Sequence, residues 1–499
     1  MMRIKQSILI CFGMALALMT VGTASADVWN VYPGDSIQDA IDAASNGDTI
    51  IVHTGDSILD AIYVEHVVVD KEITIKSSSH AIVLADAPDV DTFNVTANNV
   101  TIDGFCVLGT TTAAGIYLDG VEGCTVTNNV LLNNNYGIHL DDSSNNTLTS
   151  NTATDNDFGI HLDDSSNNTL TSNTASDNGN GIKLGNSNSN NLTSNTASNN
   201  TGHGIYLRNA SNSTLISNTA SNNGWGGIYL DSLNNNNTLT NNTASDNDRG
   251  IYLYLSSNNN TLTSNTANSN NRDGIFLVES SNNTLTSNTA LNNGNGINLY
   301  SSSNNNLTSN TMSDNYYGIS LYLSSNNIIY NNCFNNTNNV AEDGTNIWNS
   351  TEMVTYTYNG SNYVNYTGNY YANDYANNSS NDVDGDGIGD TPYGNDSYPL
   401  MFCPVIIETP TPTEELETLK EYVNGLDVSS STTKILNAKL DAVINKLDKG
   451  DNEEAIENLE EFIEVVEKMV EKGSLTDEEA NYIINEAESI IELIQNSEG

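Results

Sequence analysis

One short acidic segment has the residue spacing of a calcium-binding loop. It reads Asp382-Val383-Asp384-Gly385-Asp386-Gly387-Ile388-Gly389-Asp390. Such loops place side-chain oxygens at positions 1, 3, 5 and 9, a backbone carbonyl at position 7 and glycine at position 6, as this segment does. Position 12 is Tyr393 rather than Glu, so Asp396 or water would complete the ligand set. We expect a structural Ca²⁺ held by Asp382, Asp384, Asp386, Ile388 and Asp390; a solvated acidic turn is the alternative.

A second group of chemically capable side chains occurs in two neighbouring copies of Gly-Ile-His-Leu-Asp. The copies contribute His139 with Asp141 and His161 with Asp163. Two imidazoles and two carboxylates on one strip could bind a transition metal. They could instead act as acid and base in glycosidic cleavage. Duplication of one sequence also produces such a cluster without any chemical role, and this interpretation stays open.

These side chains belong to a repeat that sets their positions. Gly-Ile, any residue, then Leu recurs in steps of 22 to 24 residues, with glycines at Gly115, Gly137, Gly159, Gly181, Gly204, Gly227, Gly250, Gly274, Gly296 and Gly318. Each copy also carries a recurrent asparagine, at Asn129, Asn151, Asn173, Asn195, Asn218, Asn242, Asn265, Asn288, Asn310 and Asn331. This period accommodates two or three short strands and tight turns but no crossover helix. It predicts a right-handed parallel β-helix in which Ile and Leu form the core and the asparagines form a ladder. A leucine-rich repeat is disfavoured because its LxxLxL spacing is missing.

The residues between and after Ile and Leu in each copy should lie on the outer face. Because each strand pairs with its copy in the next coil, these positions form continuous columns. One column contains an aromatic run that we expect to be exposed, formed by Tyr206, Tyr229, Tyr252 and Phe276 and flanked by Tyr254. Aromatic faces stack on sugar rings, so the run predicts carbohydrate binding. Aromatic ladders that only stabilise the sheet are the alternative.

Charge and the N-terminus limit the possible functions. The 499 residues have a formal net charge of -47, which disfavours nucleic acid and anionic lipid as partners. Residues 1–26 resemble a cleaved signal peptide, with Arg3 and Lys5, an apolar run, and Ala24-Ser25-Ala26. The signal peptide leads us to expect an exported protein, in the periplasm, at the cell surface or outside the cell. No later stretch is apolar for long enough to predict a membrane span.

The cysteines leave two possibilities open. Four remain after signal removal, at Cys106, Cys124, Cys333 and Cys403, with no short metal-binding spacing. They could form two disulfides, of undetermined pairing, or remain small buried thiols.

Changes in pattern divide the chain into segments. Residues 27–331 are predicted to form the β-helix, with a cap helix over Asp35–Ala44 and a first strand over Gly47–Val52. Residues 332–403, with the calcium loop, end the β-helix, and residues 404–413 form a Pro/Thr linker. Residues 414–499 are predicted to form a bundle of four helices, at Leu416–Val423, Thr432–Leu447, Glu453–Val470 and Asp477–Ile494. Thr476, with Glu479 three residues later, should cap the last helix.

Several motifs resemble known families. Ser36-Ile37-Gln38, Gly47-Asp48-Thr49-Ile50, the repeats and the terminating segment resemble NosD-like β-helix proteins of the carbohydrate-binding and sugar-hydrolysis repeat family, which has the pectin-lyase-like fold. The resemblance implies the fold; its members include copper-maturation, surface and polysaccharide-active proteins. Lys439-Leu440-Asp441-Ala442 and Leu447-Asp448-Lys449-Gly450 resemble the FIMAH-type helical domain, which implies attachment or assembly, with a surface protein as a possible partner.

These observations favour an exported cell-surface or matrix protein that binds extracellular or envelope polysaccharide. A polysaccharide-degrading enzyme would use Asp141, Asp163, His139, His161, His203 and Arg208. Gly202-His203-Gly204 is similar to a galacturonan hydrolase motif, but the flanking glycines belong to the repeat and the other hydrolase motifs are missing. Enzyme status is therefore not supported. A copper-associated role of the NosD kind ranks third.

Overall fold

The computed structural model describes residues 26–403, except 56–61 and 78, and residues 412–496, except 427, 429, 448–450 and 473. The chain divides into two compact units, residues 1–404 and 405–499. Residues 1–25 of the expected signal peptide and most of the expected linker lie outside the described residues.

Three stacks of parallel strands form the sides of the first unit, and most coils contribute one strand to each stack. Sheet A has 14 strands: Val28–Val31, Thr49–Val52, Thr74–Ser77, Thr101–Asp103, Thr125–Thr127, Thr147–Thr149, Thr169–Thr171, Asn191–Thr193, Thr214–Ile216, Thr238–Thr240, Thr261–Thr263, Thr284–Thr286, Asn306–Thr308 and Ile328–Tyr330. Sheet C has 13: Val67–Val69, Phe93–Val95, Ala114–Asp119, Tyr136–Asp141, Phe158–Asp163, Asn180–Gly185, Ile205–Arg208, Gly226–Asp231, Arg249–Tyr254, Asp273–Val278, Asn295–Tyr300, Tyr317–Tyr322 and Asn338–Glu342. The predicted parallel β-helix is confirmed.

The third sheet, sheet B, is divided into two runs of strands. The first is Ile62–Val64, Ile82–Leu84, Cys106–Leu108, Val130–Leu132, Thr152–Thr154 and Thr174–Ser176, and the second is Thr289–Leu291, Thr311–Ser313, Cys333–Asn335 and Tyr370–Tyr371. Between the two runs, single parallel β-bridges join one threonine of each coil to its equivalent in the next, through Thr174, Thr196, Thr219, Thr243, Thr266 and Thr289. Each coil therefore has three sides.

The repeated Ile and Leu side chains point into the β-helix, as their period-2 spacing requires. Ile228 and Leu230, for example, are fully buried, and their equivalents in the neighbouring coils lie directly above and below them. The residues between them face outward. This alternation creates the outer columns on which the candidate site is built.

Buried asparagines join successive coils at all three corners. At the corner before sheet B, Asn195 donates its backbone N–H to Oδ1 of Asn218 at 2.9 Å. The Nδ2 group of Asn218 in turn donates to the carbonyl of Leu192 at 2.8 Å and to Oδ1 of Asn242 at 3.0 Å. The sequence predicted this ladder, but two further ladders run through Asn156 and Asn260 at the other corners.

One ladder position was predicted wrongly. The sequence placed Asn331 in the ladder. In the structure, the backbone N–H and the side-chain Nδ2 of Asn310 donate to Oδ1 of the buried Asn332. Asn331 instead has φ 58°, the left-handed conformation that a serine adopts before the ladder asparagine in other coils, such as Ser217. The two adjacent asparagines made the register ambiguous in the sequence.

A helix and an additional strand close the N-terminal end. Helix α1 spans Ile37–Ala43, and Ser36 caps it by accepting a hydrogen bond from the backbone of Asp39. The expected first strand, Thr49–Val52, is preceded by Val28–Val31, which pairs with it in parallel. The additional strand extends sheet A by one coil beyond the prediction.

The β-helix continues past the predicted boundary at residue 331. Cys333–Asn335, Asn338–Glu342 and Tyr370–Tyr371 extend sheets B and C, and an antiparallel hairpin of Val354–Tyr358 and Ser361–Asn365 follows the last complete coil. A π-helical turn at Ala372–Ala376 and a 3₁₀ turn at Ser379–Asn381 lead to the acidic loop.

One disulfide secures this end. Cys333 and Cys403 are bonded, whereas Cys106 and Cys124 are free thiols. Two of the four cysteines therefore form a disulfide, and the other two remain thiols, so both of the states left open by the sequence occur.

The second unit is a bundle of four helices with its own core. The helices are α2 (Pro412–Gly425), α3 (Ser430–Leu447), α4 (Asn452–Glu471) and α5 (Asp477–Asn496). Leu459, Phe462 and Val466 of α4 are buried in the bundle core, as their helical spacing predicts. Thr476 and Glu479 form the expected reciprocal cap of α5. In the described residues, no helix is long and apolar enough to cross a membrane.

The buried ladder should stabilise the β-helix more than exposed asparagines do. Asn218→Ala removes the acceptor for Asn195 N–H and the donor for Leu192 C=O in a buried site, so we expect a loss of about 2 kcal/mol or more in the free energy of unfolding. Urea unfolding followed by circular dichroism measures this loss. Asn271→Ala, at an exposed position, is the matched control, and equal losses in the two variants would contradict the ladder's role.

Candidate functional site

Sheet C carries the predicted aromatic column on its outer face. Tyr206, Tyr229, Tyr252 and Phe276 are in direct register on four successive strands, and we call these four residues the aromatic strip. Their ring centroids are 5.3, 4.8 and 5.0 Å apart, with interplanar angles of 8°, 16° and 14°. Tyr254 flanks the strip, with its ring 5.5 Å from that of Tyr252. The rings are half-buried rather than freely exposed, because each covers the faces of its neighbours.

A second outer column lies beside the strip and was missed in the sequence. It consists of the residue before the glycine of each repeat, including Tyr136, Phe158, His203, Gly226 and Arg249. We call it the flanking column. Its side chains pack against the strip: the His203 ring lies 4.6 Å from that of Tyr229, and the Arg249 guanidinium lies 5.2 Å from the ring centre of Tyr252. The signal was present in the sequence, since this position is often aromatic or basic.

Gly226 leaves a gap in the flanking column, and the gap forms a groove of about 300 Å³. Tyr229 and Tyr252 of the strip line it, together with His203, Arg249 and the exposed indole of Trp225. A Cβ at Gly226 would lie 3.1 Å from Nδ1 of His203, so a larger side chain there would occupy the groove. The sequence did not indicate Trp225 or the groove.

The charged groups around the groove are paired. Arg249 Nε contacts Asp273 at 3.1 Å, and its Nη1 contacts Asp248 at 3.5 Å. The other oxygen of Asp248 receives Nε of Arg272 at 3.2 Å. These pairs hold the Arg249 guanidinium over the strip.

The candidate catalytic residues fall into two separate groups. His203 lies at the groove, and burial lowers its pKa to about 4. Arg208 lies two residues after Tyr206 on the same strand. Its side chain is exposed, and its Nε atom is 3.9 Å from Oδ2 of Asp231. Asp231 also accepts a hydrogen bond from the Tyr206 hydroxyl at 2.8 Å.

The second group contains His139, His161, Asp141 and Asp163. The two imidazole rings are stacked 5.0 Å apart with an interplanar angle of 9°, and Tyr136 stacks on His139 at 4.5 Å. Burial is the main cause that lowers the pKa of His161 to about 3, so the ring is neutral. Burial also raises the pKa of Asp163, and the charges of neighbouring aspartates act in the same direction.

The transition-metal site that was one possibility for these four residues is not assembled. In the part of the chain that the structure describes, one group of three or more acidic, histidine or cysteine ligands converges, and it is Asp382, Asp384 and Asp390. The stacked imidazoles instead pack as aromatic rings among Tyr136 and Phe158.

The acidic loop brings together three of its four predicted carboxylates. Carboxylate oxygens of Asp382, Asp384 and Asp390 lie within 4.8 Å of one another. Asp386 is not part of this group, and its Oδ1 accepts the backbone N–H of Ile388 at 2.8 Å. Gly387, at position 6, has φ 90°, as the sharp turn requires. Carboxylate oxygens grouped in this way are of the type that Ca²⁺ takes as ligands in proteins.

Asp396 has a different role from the ligand suggested by the sequence. It is buried where the last coil closes, and its two oxygens accept the backbone N–H groups of Asn369 and Tyr398 at 2.7 and 2.9 Å. Burial raises its pKa to about 6. Asp396 therefore fastens the closing turn.

Comparison with protein families agrees with this architecture. Residues 114–267 match the family model for the right handed beta helix region, and residues 223–376 match that for the periplasmic copper-binding protein NosD. Residues 413–492 match the FIMAH domain.

Individual proteins give shorter or more distant similarities. A cell surface glycoprotein of Methanothermus fervidus is 40% identical over 99 residues, which cover 19% of this chain and 15% of that protein. The A-module of mannuronan C-5 epimerase AlgE4 of Azotobacter vinelandii is 15% identical, with a TM-score of 0.45, and the match covers 62% of this chain and 92% of that one. DFA-IIIase of Arthrobacter chlorophenolicus A6, without its lid, is 14% identical, with a TM-score of 0.43 and coverage of 64% and 98%.

The family matches and the three-sided coils lead to one assignment. The first unit is a parallel β-helix whose residues 114–376 match two overlapping models, of the right handed beta helix region and of NosD, and residues 413–492 of the second unit match the FIMAH domain.

Proposed function

We propose that the protein is exported and binds extracellular or envelope polysaccharide along the aromatic strip, at the cell surface or in its matrix. The observation that carries this proposal is the strip itself, four stacked rings in register on successive coils. A polymer lying along the strip would meet a similar aromatic surface at every coil, about 4.8 Å apart. Because stacking covers the ring faces within the strip, the polymer would meet the ring edges and the phenol hydroxyls, and these hydroxyls bond to sugar hydroxyls.

Packing holds the strip ready for a ligand. Tyr229 and Tyr252 are stacked between rings on both sides, so binding would order few side chains, and little conformational entropy would be lost. The hydroxyls of Tyr229 and Tyr252 have no hydrogen-bond partner among the described residues, so both are available. Export is supported by the relative named a cell surface glycoprotein and by the periplasmic description of the NosD family, and the first of these also supports a cell-surface location.

Removing one ring from the centre of the strip should weaken binding. Tyr229→Ala removes a ring edge and a free phenol hydroxyl from the binding surface, contacts worth ~1 kcal/mol, so we expect about fivefold weaker co-sedimentation with a bound polysaccharide. Tyr300→Ala is the matched control, because Tyr300 is an exposed aromatic on sheet C outside the strip. A polysaccharide that binds the two variants equally well would show that the strip is not the binding surface.

The structure gives the catalytic alternative little support. His161 is nine-tenths buried and neutral, so it is poorly placed to exchange protons with a polymer. Asp141 accepts the Tyr117 hydroxyl at 3.1 Å, and the stacked rings of Tyr136 and Phe158 cover the adjacent histidines.

Asp141→Asn and Asp163→Asn should therefore leave polysaccharide binding unchanged. Their side chains lie outside the strip, and the substitution preserves their size. Reducing-end and unsaturated-product assays with the wild-type protein check the enzyme alternative in the same samples. Cleavage that disappears in either variant would favour a polysaccharide-degrading enzyme instead.

A copper-associated role is the third possibility and depends on His139 and His161. The two rings lie in nearly parallel planes, so their nitrogens point within those planes, across the stacking direction, and do not converge on a common centre. The two histidines therefore act in this account as part of the packed outer face.

The acidic loop is proposed to hold a structural Ca²⁺ that stabilises the end of the β-helix. Asp382, Asp384 and Asp390 would supply carboxylate oxygens and Ile388 its carbonyl, with water completing the set. The loop is tied to the closing segment, because Gly389 N–H donates to Pro399 O at 2.7 Å and Met401 N–H to Gly387 O at 3.0 Å. An ion here would link the loop to the last coil.

Calcium removal should lower the thermal stability of the first unit. Saturating Ca²⁺, at about 100 times its Kd, would stabilise the folded state by ~2.7 kcal/mol, which EDTA should reverse. Differential scanning calorimetry measures the shift, with Mg²⁺ as the ion control. Asp384→Asn should abolish the calcium-dependent part, and a melting temperature that Ca²⁺ does not change would contradict the proposal.

The FIMAH domain is proposed to attach or assemble the protein, with another surface protein as its partner. It has a separate core, so it can act as an independent module. This proposal concerns the second unit alone and does not affect the strip.

A further inference from the structure

The groove at Gly226 has features that select one class of sugar. Its lining is built from the strip and the flanking column, where every neighbouring position has a side chain except Gly226. Its volume of about 300 Å³ is at the lower end of small-molecule sites, ~300–1,000 Å³. The groove is therefore sized for one or two sugar units of a longer chain.

The unpaired polar groups of the groove are hydrogen-bond donors. His203 Nδ1 accepts the backbone N–H of Gly226 at 3.1 Å, so the neutral ring carries its proton on Nε2. The indole N–H of Trp225 has no partner within the described residues. Arg249 uses Nε and Nη1 for Asp273 and Asp248, which leaves further guanidinium N–H groups for a ligand.

The carboxylate acceptor of the groove is already paired, and the remaining side-chain acceptors are the phenol oxygens of Tyr229 and Tyr252. Asp248 is the carboxylate in its lining, and its two oxygens receive Arg249 and Arg272. The hydroxyls of Tyr229 and Tyr252 stay protonated, since burial raises the pKa of Tyr252 to about 12 and that of Tyr229 further. A ligand rich in acceptors complements such a lining better than a neutral sugar, whose hydroxyls also require acceptors.

Basic residues are concentrated on the same coils. Residues 26–403 contain six lysines and arginines, and four of them lie between residues 183 and 272: Lys183, Arg208, Arg249 and Arg272. Lys183 lies 6.0 Å from the ring centre of Tyr206 and forms no ion pair with a described residue. In a chain of net charge -47, this is the part of the β-helix surface least repulsive to an anion.

We propose that the groove at Gly226 binds a carboxylate-bearing sugar unit, so that the preferred polymer is a uronate-type polysaccharide. The carboxylate faces Arg249, His203 Nε2 and the Trp225 indole N–H, while the sugar ring lies against Tyr229 and Tyr252. This inference rests on the proposed polysaccharide binding and adds the class of sugar to it.

Matched pairs of polymers test the inference. Polygalacturonate, alginate and hyaluronan are each compared with the carboxyl-reduced form of the same polymer, by affinity electrophoresis at fixed ionic strength. Reduction replaces the carboxylate with a hydroxymethyl group and preserves the rest of the chain. We expect at least one carboxylated polymer to bind about tenfold more tightly than its reduced form, the effect of one charge-assisted hydrogen bond.

Two variants place the selectivity in the groove. Gly226→Tyr fills the gap with the side chain that Tyr136 has at the equivalent position of another coil. Trp225→Ala removes an exposed indole and leaves the core intact. Each should reduce binding of the carboxylated polymer by about tenfold and bring it close to that of the reduced form. Ser320→Tyr, which adds a ring to sheet C three coils from Tyr252, is the control and should leave binding unchanged.

The outcomes separate the two proposals. Equal binding of a polymer and its carboxyl-reduced form overturns the carboxylate inference and leaves polysaccharide binding intact. Tighter binding of dextran sulfate than of any carboxylated polymer also overturns it, in favour of sulfate. If neither carboxylated nor neutral polymers bind, both the inference and the proposed function fail.

Discussion

The structure depends on hydrogen-bonded asparagines that occupy most corners of the repeat coils. The buried amide accepts a backbone N–H from one coil and donates to carbonyl and amide oxygens of others, so a corner that lacks it leaves several buried groups unpaired. Because the amide must meet its copy in the next coil, the corners must coincide from coil to coil. Extra residues are accommodated in the turns, where the spacing varies between 22 and 24 residues, and the strands keep their register.

That register is what converts a repeat into a functional surface. Because Ile and Leu occupy the inward positions of every repeat, the outward positions align in columns whatever residues they carry. The sequence can therefore vary at these outward positions without disturbing the core. Aromatic side chains at successive positions become a stacked strip, and a single glycine in the flanking column becomes a groove. The same constraint explains the paired histidines, which stack because duplication placed identical residues in register.

The sequence was most informative where one residue type recurs at one position. The Gly-Ile-x-Leu motif predicted the core and the outward columns, and the helical spacing around Leu459 and Phe462 predicted the bundle. Predictions failed where the structural role of a residue depends on its contacts with another part of the chain. Asn331 and Asn332 are equivalent by type, and only the contact from Asn310 identifies the ladder member. Asp396 is near the acidic loop in sequence, yet backbone N–H groups of the closing turn occupy its oxygens. The groove arises from a missing side chain at Gly226, which a search for chemically active residues passes over.

The central claim is that a polysaccharide occupies the strip and its groove, and Trp225 offers the most direct measurement of it. The chain has three tryptophans, and Trp225 is 64% exposed whereas Trp348 is 2% exposed. Acrylamide quenching of tryptophan fluorescence, with and without a co-sedimenting polysaccharide and with Trp225→Phe as control, reports on this position. We expect the bound polymer to protect the Trp225 contribution from quenching. Unchanged quenching of Trp225 while the polymer is bound would place the binding surface elsewhere and contradict the account.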